Sequence, residues 1–156
     1  MNEHSFIRAI HKKIHPDVHA WKIHDTYAGG VPDCMYSGKS GVLFVEYKYI
    51  KQLPRRQTTN IRHSLSALQN AWLNRMQQSA HAALIIGVGK DSAIIIVDDF
   101  SAIISTMRYL EDSVTFEDIA SWIYNITVQG CAANEQTIIT PNRSSKPTKN
   151  MGFKKA

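Results

Sequence analysis

GGVPDCMYSGKSGVLFVEYKYI, residues 29–50, decides how this chain is read. The stretch holds only two acids, Asp33 and Glu46, and both fall inside runs that otherwise read as buried sheet. Pro32 biases Val31 toward extended backbone, so DCMYS and GVLFVEYKYI become two strands around SGKSG. With a tight turn at Lys39 and Ser40, Gly38 faces Gly41, and the same antiparallel register carries Asp33 directly opposite Glu46. Opposed residues hold their Cβ atoms about 4.5 to 5.5 Å apart, where like charges are destabilising. Something must offset that repulsion.

A hard divalent cation does so economically. Mg²⁺ is held by one or two carboxylates, keeps several waters and takes its remaining ligands from phosphate. Side chains alternate along a strand, so Glu46 and Lys48 share a face while Tyr47 and Tyr49 point the other way. A carboxylate pair and an ammonium thus converge on one spot. Such a set suits metal-assisted hydrolysis: the metal activates a water and polarises a phosphodiester, and the lysine positions that water or offsets developing charge. The same three residues would also make an ordinary ion network on a strand edge, and taken alone they leave both readings open.

Outward from the hairpin, the pattern is that of one α/β domain. Phe6, Ile7, Ile10 and Ile14 recur at helical spacing before Pro16, predicting an amphipathic helix over 2–14. AWKIHDTY predicts a short strand. Leu65, Leu68, Trp72 and Met76 form one face of a helix over 64–79, and ALIIGVG and AIIIV read as strands buried on both faces. Helices over 99–110 and 116–126 follow, the second with Thr115 and Asp118 as a capping box. The order predicts a central mixed β-sheet flanked by helices, a single domain over 1–140, and a basic, flexible tail over 141–156.

Composition agrees. At 156 residues and 44% apolar content the chain can bury one core without disulfide or metal staples. Cys34 and Cys131 are too few for a disulfide framework and lack metal-ligand spacing, so both read as reduced thiols. No apolar run approaches a membrane span and the N-terminus lacks a signal core, which predicts a soluble, cytoplasmic protein. Seven histidines include His-x-x-x-His spacings, but without the intervening glutamate of a zinc protease helix. His24, just ahead of the motif strand, reads first as a hydrogen-bonded surface histidine, with approach to the cleft as the alternative.

The PD dipeptide at Pro32-Asp33, twelve intervening residues, and Glu46-Tyr-Lys48 after an apolar strand resemble the PD-(D/E)XK nuclease core. That superfamily includes restriction endonucleases, Holliday-junction resolvases and VRR-NUC domains, and the VRR-NUC branch, often phage-borne, is the most similar. The resemblance covers about residues 1–97 and implies a restriction-endonuclease-like core. It implies an Mg²⁺-dependent endonuclease, with Mn²⁺ able to substitute, and a metal held by Asp33, Glu46 and the backbone carbonyl of Tyr47. Lys48 would be catalytic, with Gln69 and the helical Glu3 ordering the metal and its waters. Tyr47 departs from the family pattern, which has a small aliphatic residue there, so the back of the strand must accommodate a ring.

Charge is distributed unevenly. Residues 1–62 hold 10 basic and 5 acidic side chains, residues 91–135 hold 1 and 8, and residues 136–156 hold 5 and none. Lys51, Arg55, Arg56 and Arg62 follow the motif strand, with Lys12 and Lys13 earlier and Lys154 and Lys155 in the tail. All suit phosphate contacts that give affinity without reading sequence. They equally suit a solvated surface. DNA, branched in shape, is the partner expected, and paired incisions would call for a homodimer. An RNA nuclease, or a module that binds nucleic acid or protein without cutting, stays open from the residues alone.

Overall fold

A computed structural model describes residues 1–133. The elements follow the predicted order: α1 (Glu3–His11), β1 (His19–Lys22), β2 (Cys34–Gly38), β3 (Gly41–Ile50), α2 (Ala67–Met76), β4 (His81–Val88), β5 (Ala93–Ile96), α3 (Thr106–Asp112) and α4 (Phe116–Thr127). The strands form one mixed sheet in the order β1-β2-β3-β4-β5. All neighbours are antiparallel except β3 and β4, whose parallel pairing requires a crossover, supplied by α2.

The sheet lies between two cores. α1 and α4 cover one face through Phe6, Ile10, Phe116 and Ile123 against Tyr36, Val45, Tyr47 and Ile85. On the other face Leu73 of α2, Phe100, Ile104 and Tyr109 of α3 cover Leu84, Ile86, Ile94 and Ile96. β4 and β5 are therefore buried on both faces, as their unbroken apolar runs predict. Cys34 is buried, Cys131 half-buried, and both are free thiols. No described helix is long and apolar enough to cross a membrane.

Several boundaries differ from the sequence reading for local reasons. α1 ends at His11, three residues early, because Lys13 and Ile14 bond back to Ile10 and His11 in a tighter turn. α2 starts only at Ala67, where Ser66 caps it. The helix expected from 99 begins at Thr106: Asp98 and Asp99 accept from nearby backbone N–H groups, holding a turn that competes with helix. The face expected of α2 is also rotated. Leu68 is 63% exposed, whereas Leu73 is fully buried. The Thr115–Asp118 capping box at the start of α4 forms as predicted. The 1–140 boundary, the tail, Lys154 and Lys155 lie outside the described residues.

The hairpin turn between β2 and β3 is clasped by the end of α4. Ser40 donates through N–H to the Thr127 carbonyl at 2.9 Å and through Oγ to the Val128 carbonyl at 2.7 Å. Gly38 makes the approach possible, since a Cβ there would stand 2.5 Å from the Thr127 oxygen.

Candidate active site

The hairpin takes the register its glycines dictate: Gly38 pairs with Gly41 and Cys34 with Val45. The paired residues end there, with Asp33 immediately before Cys34 and Glu46 immediately after Val45. Asp33 continues the ladder with its side chain, Oδ2 accepting from the Tyr47 N–H at 2.8 Å. Its backbone carbonyl accepts from the Ile23 N–H at 2.7 Å, which ties in the chain leaving β1. Pro32 has no N–H to offer the Tyr47 carbonyl, so strand pairing stops where the acids begin.

Glu46 is 1% exposed. Its Oε1 accepts from Lys48 Nζ at 2.7 Å and from Gln69 Nε2 at 2.5 Å. Its Oε2 is buried with no partner. Burial first, then the charge of Asp33, pushes the Glu46 carboxyl up to about 7 against the opposing bond from Lys48. Asp33 is also raised, mainly by burial, with the Tyr47 N–H and Lys48 pulling the other way. Glu3, on the first turn of α1, is raised by burial and by the charge of Asp33, so it stands within the field of this cluster. α1 comes this close because Phe6 lies on Gly87, where a Cβ would meet the ring at 2.5 Å.

Gln69 reaches Glu46 through helix capping. Ser66 Oγ accepts from the Gln69 N–H at 3.1 Å, and Gln69 Oε1 accepts from the Ser66 N–H at 3.0 Å. With its oxygen committed to the cap, the amide can only present Nε2 to Glu46. Ser-x-x-Gln ahead of an apolar run is a readable signal for this arrangement. On the far side of the strand, the Tyr47 ring is fully buried, edge-on to Phe6 at 5.5 Å, with its hydroxyl 2.6 Å from that of Tyr36. The ring is thus accommodated.

Two residues at the site escape sequence reasoning. Lys22 pairs across from Cys34, beside Asp33, and its charge acts on both Asp33 and Glu3. His63 has a buried Nδ1 without a partner, and its pKa is lowered by burial and by the charge of Lys48. Lys51, Arg55, Arg56 and Arg62 are exposed on the loop after β3. That loop is pinned to the start of α3 by bonds from the Thr106 and Met107 N–H groups to the Thr59 and Gln57 carbonyls. Lys12 caps α1 and Lys13 follows it, so neither belongs to the helix proper, and both are exposed. His24 lines a cleft together with Asp33.

An unpartnered, buried carboxylate oxygen within the field of a second carboxylate fits a divalent cation. Among the described residues no group of three or more His, Cys, Asp or Glu is assembled for a metal. The chemistry of Asp33 and Glu46, two carboxylates, is that of Mg²⁺ ligands rather than of the nitrogen and sulfur donors that zinc favours.

No family model and no curated protein matches the chain. Among solved structures, the fold is similar to that of Archaeoglobus fulgidus Hjc, a Holliday junction resolvase from an archaeal hyperthermophile. The TM-score is 0.50 at 15% identity, over 76% of this chain and 96% of that one. The five-stranded mixed sheet flanked by helices matches the restriction-endonuclease-like fold of this nuclease.

Proposed function

We propose that this chain is an Mg²⁺-dependent endonuclease that hydrolyses DNA phosphodiester bonds and selects branched or junction DNA. The observation that carries the reading is the buried, unpartnered Oε2 of Glu46, within the field of Asp33 and beside Lys48. Asp33, Glu46 and the Tyr47 carbonyl would hold the cation, and Mn²⁺ would serve in its place. When bound, the metal supplies Lewis acidity at the phosphate and lowers the pKa of a water.

The chain's own residues do the rest. Lys48 places a fixed positive charge at the reacting phosphate, where charge grows in the transition state. Gln69, held by Ser66, keeps Glu46 turned so that Oε2 rather than Oε1 is free. Glu3 adds a carboxylate that orders water at the rim. The exposed Lys51, Arg55, Arg56 and Arg62 give the DNA backbone its register. The resolvase fold of Hjc supports junction DNA as substrate, and the Gln69 contact supports the VRR-NUC assignment.

Incubation with four-way, flapped and linear DNA in Mg²⁺, Mn²⁺ and EDTA tests the reading. Metal-dependent incision of branched DNA is expected. Incision that persists in EDTA or in Asp33→Ala overturns it, and faster cleavage of RNA of the same sequence moves the substrate class. Salt-sensitive binding without any incision would make the chain a binding module instead.

A further inference from the structure

The loop joining β1 to β2 is built rather than slack. At its base the Ile23 N–H bonds to the Asp33 carbonyl. Asp25 Oδ1 accepts from the Tyr27 N–H at 2.8 Å and the Ala28 N–H at 3.0 Å, which fixes the tip. On the returning side Gly30 takes a φ of +80° and lies against the first turn of α2, where a Cβ would stand 2.6 Å from the Leu68 carbonyl carbon. The loop thus spans from Asp33 to the residue preceding Gln69. It walls a cleft lined by Lys22, His24, Gly29, Gly30 and Asp33.

At the tip of this held loop Tyr27 is 100% exposed, and Leu68, which lies against Gly29 and Gly30, is 63% exposed. The fold gains nothing from an uncovered ring, and among the described residues nothing must move for both of its faces to be reached. A tyrosine ring offers the flat, sequence-tolerant surface on which a nucleobase stacks. Within paired duplex both faces of a base are already covered, so the base that can use the ring is an unpaired one. Lys22 and His24 line the adjoining cleft, where the attached phosphate would lie.

We propose that Tyr27 is a specificity-determining residue that stacks on an unpaired base next to the scissile phosphate, so that the loop selects DNA with a branch point at the site. This rests on the nuclease reading above and deepens it by naming the feature selected. The test is a binding cycle measured by fluorescence anisotropy in EDTA, where no strand is cut. Wild type, Tyr27→Ala and Tyr27→Phe are titrated with a branched DNA carrying one unpaired base at the branch, and with the same DNA abasic at that position.

Stacking on one aromatic ring corresponds to roughly 5- to 150-fold in affinity. Tyr27→Ala is expected to weaken binding by that amount, Tyr27→Phe to keep it, and the abasic DNA to lose as much with wild type. Alanine and abasic losses together should not multiply, since each removes the same contact. Unchanged binding by Tyr27→Ala, or losses that multiply, overturns the proposal. Parallel incubation in Mg²⁺ separates the two readings. Normal incision with an indifferent Tyr27 removes only the loop's role. Tyr27-dependent binding without incision in Mg²⁺ or Mn²⁺ removes the nuclease and leaves the stacking. Absence of binding to either DNA removes both.

Discussion

Glu46 and Tyr47 are neighbours on β3, both buried, yet the fold treats their polar atoms oppositely. Behind the strand, the Tyr47 hydroxyl meets that of Tyr36, which in turn lies 2.8 Å from His11 Nε2. Burial pushes both hydroxyls well above the usual tyrosine range, so they stay protonated and able to donate. In front, Glu46 shares one oxygen between Lys48 and Gln69 and leaves the other unmet. Buried polar groups go unpaired rarely, because each costs about 1 to 3 kcal/mol. The rear face satisfies itself, whereas the front face leaves one carboxylate oxygen without a partner.

If that contrast holds, Lys48→Ala and Glu46→Gln should each lower incision by about 10²- to 10³-fold while still melting cooperatively, Lys48→Ala at a lower temperature because the buried Glu46 carboxylate loses its cation. Loss of both activity and fold would erase the distinction between faces. The next largest effect is on stability without metal. Because the folded Glu46 carboxyl titrates near 7, above its unfolded value of 4.5, the native state binds the extra proton between those values. Stability in EDTA should therefore fall as pH rises from about 4.5 to 7, by of order 2 kcal/mol, as the buried carboxylate ionises. Added Mg²⁺ should recover it at pH 8, and Glu46→Gln should flatten the profile, both read from thermal melts.

Tyr36→Phe and Tyr47→Phe probe the rear face. Tyr36→Phe should cost about 1 to 2 kcal/mol in chemical denaturation, since it strands the buried Tyr47 hydroxyl, and Tyr47→Phe less, since Tyr36 keeps His11; both should change incision less than the front-face variants do. A large loss of incision in a stable Tyr47→Phe protein would join the two faces. The smallest effects belong to the solvated rim. Arg55→Ala and Arg56→Ala should each weaken DNA binding modestly and reduce the salt slope by about one, measured by titration at several salt concentrations.

Much of this was legible in the sequence where local chemistry decides geometry. Gly38 and Gly41 frame the turn, the turn sets the register as far as Cys34 and Val45, and the acids that adjoin this last pair, Asp33 and Glu46, come close enough for the charge of one to act on the other. The strands β4 and β5 announce themselves because they are apolar at every position. What stayed hidden depends on distant partners. The apolar spacing of α2 favours turning Leu68 inward, but the Gly30 contact and the Ser66 cap turn Gln69 inward instead. Lys22 enters the site through a third strand whose register no turn specifies. His63 precedes α2 in an irregular stretch, with Ser64 at a φ of 52°, where no period points a side chain anywhere.

The clasp on the hairpin turn also has a consequence in time. Ser40 is held by a carbonyl 88 residues later in the chain. As the protein is synthesised, the segment bearing Asp33 and Glu46 leaves the ribosome long before the end of α4 exists to fasten it. A nascent chain thus carries both acids on an unfastened ribbon until the end of α4 has been made.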